Sequence, residues 1–118
     1  ILSIHVPHTK ETDKMFDMKI FKKMKKTSFL INTSRGKVVN EKDLKIALEE
    51  KIIAGAGLDV FETEPINEKH RFTKLENIVL APHIGSSTKE TRIKMAEITT
   101  KNLILGMKGK KPIYSVGY

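Results

Sequence analysis

The sequence predicts an α/β fold: a parallel sheet of about four strands joined by crossover helices, followed by a long C-terminal helix. Two observations predict it. Short apolar runs alternate with amphipathic segments along the chain, which is the pattern of βα units feeding a parallel sheet. An arginine, a carboxylate and a histidine (Arg35, Asp59 with the glutamates after it, and His83) each stand just beyond one of those runs, at what would be the shared carboxyl edge of the strands, where open α/β sheets bind ligands. The 118 residues suffice for one modest domain with a single core, and no internal repeat or low-complexity segment interrupts them.

Residues 2–6 read as the first strand, closed by Pro7, whose missing N–H and fixed φ suit a strand end. Thr9-Lys10-Glu11-Thr12 offers hydroxyl caps for a helix in which Met15, Phe16, Ile20, Phe21 and Met24 recur at helical spacing, with lysines on the other side. Residues 28–32, with Phe29, Leu30 and Ile31 inside, read as a strand covered on both faces. Asn40 can cap a second helix, whose early Glu41 and Asp43 complement its positive end and whose Leu44, Ala47 and Leu48 form the buried stripe. Residues 54–60 predict the third strand, its Ala54, Gly55, Ala56 and Gly57 allowing close helix packing. Gly55-x-Gly57 is not a dinucleotide fingerprint, because it lacks the third glycine and does not open a helix. After a polar loop over 62–76, residues 78–80 make the fourth strand, stopped by Pro82. Ser86-Ser87-Thr88 then supplies caps for the long helix, with Ile93, Ala96, Thr100, Leu103 and Met107 on one face and Gly109 as its stop.

Composition narrows the function classes. Cysteine is absent, so disulfides and thiolate metal sites are excluded, in keeping with a reducing, cytoplasmic setting. No apolar run approaches the ~20 residues that span a bilayer, and no membrane role is expected. The chain opens on Ile1-Leu2-Ser3-Ile4-His5-Val6, a strand already under way, and it reads as a fragment. Net charge is +8, with seven lysines between Lys10 and Lys26 against Glu11, Asp13 and Asp17. Without interleaved aromatics this is a solvated helix face, and nucleic acid is not an expected partner.

The candidate site combines three chemistries. Arg35, between Ser34 and Gly36, presents a planar fork that matches a carboxylate and keeps its charge, with Gly36 permitting close approach of a ligand. Taken alone, it could equally be a surface ion-pair partner. His83 can donate a proton to a ketone becoming an alcohol, or simply cap the last helix. Glu62 and Glu64, two apart, would point the same way in an extended segment; either could orient the imidazole, or both could solvate the loop. Asp59, in an apolar strand end, requires a hydrogen-bond partner, either a backbone amide or a cofactor amide. Thr33 and Ser34 could donate to a ribose or end the strand. His5 is accounted for by packing in the first strand and His70 by solvation of the polar loop. One histidine with scattered acids gives no metal-ligand spacing, so no metal is expected.

Taken in order and spacing, Ser3-Ile4-His5-Val6-Pro7, the run from Phe29 to Gly36, the run from Ala54 to Pro65 and the run from Leu80 to Thr88 resemble the D-isomer-specific 2-hydroxyacid dehydrogenases, most closely the glyoxylate/hydroxypyruvate reductase branch. The resemblance implies the C-terminal half of a Rossmann-like NAD(P)-binding domain over residues 1–86, and over residues 87–118 a helix and tail returning to a substrate-binding domain. It implies hydride transfer between NAD or NADP and a small 2-oxo acid. By it Arg35 binds the substrate carboxylate, His83 is the acid/base and Glu64, directly before Pro65, is its partner. Asp59 faces the nicotinamide carboxamide, Thr33, Ser34 and the Arg35 backbone line the ribose, and His83, Ile84 and Gly85 close over the ring.

The family's phosphate loop and the residue that selects between NAD and NADP would lie upstream of Ile1, so the 118 residues alone are expected to be inactive, with an unpaired strand edge prone to aggregation. His8 stands where the family usually has an apolar residue. A homodimer is the family's usual assembly. Phosphoglycerate dehydrogenase and a non-metabolic, NAD-binding corepressor are the rival readings.

Overall fold

The computed structural model describes residues 1–115, in two compact units that divide between Ile84 and Gly85. In the first unit, β1 (Leu2–Ile4), β2 (Phe29–Asn32), β3 (Gly55–Leu58) and β4 (Ile78–Leu80) form one parallel sheet in the order β1-β2-β3-β4. The expected α/β architecture is therefore present: a Rossmann-like parallel sheet with crossover helices. Register pairs Leu2 with Leu30, Leu30 with Ala56 and Ala56 with Ile78, so every second residue of each strand shares a face.

On that face Ile4, Leu30, Ala56 and Leu58 are buried in one cluster with Phe21 of α1 (Met18–Phe21) and with Leu44, Ala47 and Leu48 of α2 (Glu41–Glu49). Each large side chain so buried contributes roughly 1.5–3 kcal/mol relative to its exposed state. Both helices lie on one face because successive right-handed crossovers stepping in one direction across a sheet put their helices on the same side. The other face is less covered. Phe29 is 47% exposed and Val79 72%, so β2 is not enclosed on both sides as its continuous apolar run predicts.

The first helix is shorter than its spacing predicts. Thr12 Oγ donates to Pro7 O and accepts from Thr9 N, so the threonines close a turn instead of capping a helix. Phe16 is drawn into an isolated bridge with Val39. Asp17 then caps α1 by accepting from the N–H groups of Lys19 and Ile20. By contrast α2 begins as expected on Asn40, whose side chain accepts from the Lys42 and Asp43 N–H groups. Gly55 is small for a different reason from close helix packing: a Cβ there would meet the Asn77 carbonyl oxygen at 2.8 Å and the Phe29 ring at 3.0 Å. The link from β3 to β4 contains no helix, but Phe61 and Phe72 anchor it in the core.

In the second unit α3 (Lys89–Met107) starts on Thr88, whose hydroxyl accepts from Thr91 N, and ends before Gly109 at φ +66°. Asn102 ties the following tail to α3 by accepting from Ile113 N and donating to Tyr114 O. The apolar residues expected on one face, Ile93, Leu103 and Met107 among them, are exposed. No helix of the described residues is long and apolar enough to cross a membrane.

Candidate active site

The carboxyl ends of the strands lead into three loops, and these place the predicted groups. Past β4, His83 takes the left-handed backbone region at φ 55°, where a non-glycine residue carries strain of order 1 kcal/mol. That conformation brings its Nδ1 to 2.7 Å from Glu64 Oε2. An ionised carboxylate only accepts, so Nδ1 carries the proton and Nε2 is the ring atom left for other chemistry. Glu64 Oε1 accepts from Phe61 N at 2.9 Å, so both its oxygens are engaged. Partial burial raises the Glu64 carboxyl, but the hydrogen bonds from His83 and the Phe61 N–H, with the charge of His83, outweigh it even against Asp59. The net result is a carboxyl held below the ordinary glutamate value.

Past β2, the loop carrying Arg35 is shaped by Asn32, a residue the sequence reading passed over. Its buried side chain accepts from Ser34 N and from the Ser34 hydroxyl and donates to Arg35 O, at 2.9–3.0 Å. The signal was a fully polar side chain at an inward register position, on the same face as Leu30. The Ser34 hydroxyl is thus directed at Asn32. Arg35 is exposed, with Nη1 donating to Ser34 O at 2.7 Å. Gly36 is required here, but not for a ligand: a methyl group would come within 1.9 Å of the Phe61 carbonyl carbon, so the close approach is made by the chain's own backbone.

Arg35, Glu64 and His83 line one cavity of about 200 Å³ together with His8, Lys37 and Glu62. Glu64 and His83 also line, with Phe61, Pro65, Ile66 and Pro82, a more apolar hollow of about 340 Å³. Past β3, buried Asp59 accepts from Ile84 N at 2.8 Å, which makes a backbone amide one of its partners. Thr33 is exposed at the same edge, and Gly85 falls in the second unit.

Three sequence expectations change. Glu62 and Glu64 do not point the same way, because residues 62–65 bend instead of extending. Glu62 turns back to accept from Glu41 N at 2.9 Å. His70 is not solvated: its ring is 5.6 Å from Phe61 and 5.1 Å from Phe72 between centroids, and its Nε2 is 3.2 Å from Glu41 Oε2. His5 is exposed beyond β1 and hydrogen-bonds Ser3, so packing does not account for it. His8 pairs with Asp13 at 2.8 Å. Among the described residues, no group of three or more histidines and acids could hold a metal ion.

A glyoxylate reductase of Thermofilum pendens is 54% identical over 112 residues, which are 95% of this chain and 33% of that protein. A glyoxylate reductase of Thermococcus litoralis is 57% identical over 111 residues, 94% of this chain and 33% of that protein. The crystal structure of an NADPH-dependent glyoxylate/hydroxypyruvate reductase from Sinorhizobium meliloti, in complex with NADP and malonate, matches with a TM-score of 0.91 at 34% identity, over 98% of this chain and 36% of that one. The chain spans about a third of the length of the curated relatives it matches. With residues 1–85 matching the family described as D-isomer specific 2-hydroxyacid dehydrogenase, NAD binding domain, the chain belongs to the D-isomer-specific 2-hydroxyacid dehydrogenases.

Proposed function

We propose that these residues form the nicotinamide end of an NAD(P)H-dependent reductase for a small 2-oxo acid of the glyoxylate or hydroxypyruvate type. Arg35 binds the substrate carboxylate, His83 is the acid, and Glu64 orients it. The observation that carries the reading is the Nδ1–Oε2 pair of His83 and Glu64 at 2.7 Å, on a cavity that Arg35 also lines. Identity above 50% to glyoxylate reductases over nearly the whole chain supports the substrate class.

The donor set fits a dinucleotide. A buried carboxylate (Asp59), the Thr33 hydroxyl, the Ser34 hydroxyl oxygen as an acceptor, the Arg35 backbone and the turn through His83 and Ile84 would hold the carboxamide and ribose of NAD or NADP, with residues 1–86 in the cofactor domain and 87–118 returning to a substrate domain. When bound, the cofactor supplies a hydride. The chain's own part is positional and electrostatic. The Arg35 fork fixes the 2-oxo acid through its carboxylate, the Nε2–H of protonated His83 passes its proton to the carbonyl oxygen as charge develops there, and Glu64 stabilises the imidazolium until then. Reverse oxidation uses neutral His83 as base.

The test is purified full-length protein with NADH or NADPH and either glyoxylate or hydroxypyruvate, followed by nicotinamide absorbance. Turnover of either acid is expected. NAD binding without turnover would favour the corepressor-like alternative, and turnover confined to a phosphorylated substrate would favour phosphoglycerate dehydrogenase. A homodimeric, cytoplasmic enzyme belongs to the same proposal. Light scattering of the full-length protein checks the dimer.

A further inference from the structure

The loop that presents Glu64 is fastened to α2 by a second pair of acids. Glu41 is the first residue of α2, and the residue is almost wholly buried at 3% exposure. Its Oε1 accepts from Glu62 N at 2.8 Å, while Glu62 Oε1 accepts from Glu41 N at 2.9 Å. Each acid therefore satisfies the other's backbone donor, and the Glu62 carboxylate sits at the positive end of a helix that favours it. The remaining Glu41 oxygen lies 3.2 Å from His70 Nε2 and 3.7 Å from Arg71 Nε, so the same carboxylate also gathers the loop leading to β4. His70 is wedged between Phe61 and Phe72, its Nδ1 buried with no hydrogen-bond partner in the described residues.

Two residues along from Glu62, Glu64 reaches His83. Between them the bend is closed by Phe61 N donating to Glu64 Oε1, and Phe61 is pressed against Gly36. The bend thus has a fixed anchor at Glu62 and an aimed carboxylate at Glu64. We propose that Glu41 and Glu62 are positioning residues for the acid/base pair: their reciprocal backbone clamp sets the distance and direction of Glu64 toward His83. This rests on the reading of His83 and Glu64 given above and extends it to the groups that hold the pair in place. A burial role alone would not require the two carboxylates to face each other's amides, and a loop held only by Phe61 would leave residues 62–64 free to swing.

The experiment uses the full-length protein and four variants: Glu62→Ala, Glu62→Gln, Glu41→Gln and Glu64→Gln. Glutamine keeps the accepting Oε1, so Glu62→Gln and Glu41→Gln retain the clamp that Glu62→Ala loses. With glyoxylate and NADPH, Glu62→Ala is expected to lower kcat roughly tenfold, the scale on which loosening an orienting group acts, with KM held within about twofold. Its pH–rate profile should move in the direction of the Glu64→Gln profile, and Glu62→Gln should restore both. A second readout is NMR of the holoenzyme: the hydrogen-bonded Nδ1 proton of His83 should persist in wild type, Glu41→Gln and Glu62→Gln and broaden away in Glu62→Ala. Thermal midpoints report the folded fraction. A Glu62→Ala protein with the wild-type pH profile and Nδ1 resonance would overturn the clamp, whether or not its stability fell. If Glu64→Gln is fully active, the reading of the pair and the clamp both fail; if Glu64→Gln is impaired and Glu62→Ala is not, the clamp alone fails.

Discussion

The two edges of the sheet differ in a way that separates a hollow from a site. At the amino edge, Lys26, Glu49, Lys51, Lys74 and Glu76 line a cavity of about 630 Å³, roomier than either hollow beside His83. Those five side chains belong to exposed residues, and the polar group that matters for the fold there, Asn77, already donates to the carbonyls of Leu48 and Ala54. At the carboxyl edge the hollows are smaller, but Asn32, Asp59, Glu41 and Glu64 each spend an oxygen on a named backbone amide, and Glu64 its other oxygen on His83. Charge is tied to the backbone there, and at the amino edge it lies on exposed side chains. Parallel strands cause this, since every loop that follows a strand returns to the same edge and can be cross-tied to its neighbours.

The strongest way to break this comparison is to remove one group from each edge. His83→Ala in the full-length protein should lower kcat for glyoxylate reduction by roughly a thousandfold, the usual range for loss of a general acid. Lys74→Ala at the roomier cavity should leave kcat unchanged and stability within about 0.5 kcal/mol. Comparable losses from both would show that holding charge in place does not mark the site. A smaller effect sharpens the same point. Arg35→Lys keeps the charge but replaces a fork by a point, and kcat/KM should fall roughly a hundredfold, or about 2.7 kcal/mol of transition-state binding. Unchanged catalytic efficiency would remove Arg35 from the substrate role.

How far the sequence could be read follows from the same contrast. The four strands and their parallel pairing were legible, because four apolar runs bounded by Pro7, Asn32, Asp59 and Pro82 alternate with amphipathic segments. The α2 cap was legible, because Asn40 acts on amides two and three residues away. The first helix was not. Its apolar spacing was helical, yet Phe16 paired with Val39 and Met18 N found Asp43 Oδ2, partners more than twenty residues away that no local period reveals. The choice between Glu62 and Glu64 failed on periodicity for a related reason: alternation assumes an extended chain, and the bend at 62–65 is held by those same acids. Asn32 received no role from the sequence, Glu41 only that of a charge at a helix end and His70 only that of a solvated loop residue, because what they do depends on burial, which composition does not display.

Asn32 offers a test that bears on stability more than chemistry. Asn32→Ala strips a buried acceptor from Ser34 N and a donor from Arg35 O, and a buried group left unpaired costs about 1–3 kcal/mol. The denaturation midpoint of the full-length protein should fall accordingly, with kcat/KM falling as the Arg35 loop loosens. A stability loss with intact kcat/KM would confine Asn32 to the fold and weaken the view that the carboxyl edge is built around its charges.

The smallest expected effect concerns pH. The Glu64 carboxyl lies below the ordinary glutamate value in the folded protein, so the unfolded chain takes up its proton first as pH falls. Its contribution to stability is therefore complete above the unfolded value of about 4.3 and drains away as pH drops through the folded value. Glu64→Gln removes that dependence, so wild type and variant should differ most near neutrality and converge in acid. The side chain is 33% exposed, and solvent screening keeps the difference small. Parallel wild-type and Glu64→Gln curves across the acid range would mean that the His83 pair adds nothing to the charged state of Glu64, and the held charge would lose its energetic basis.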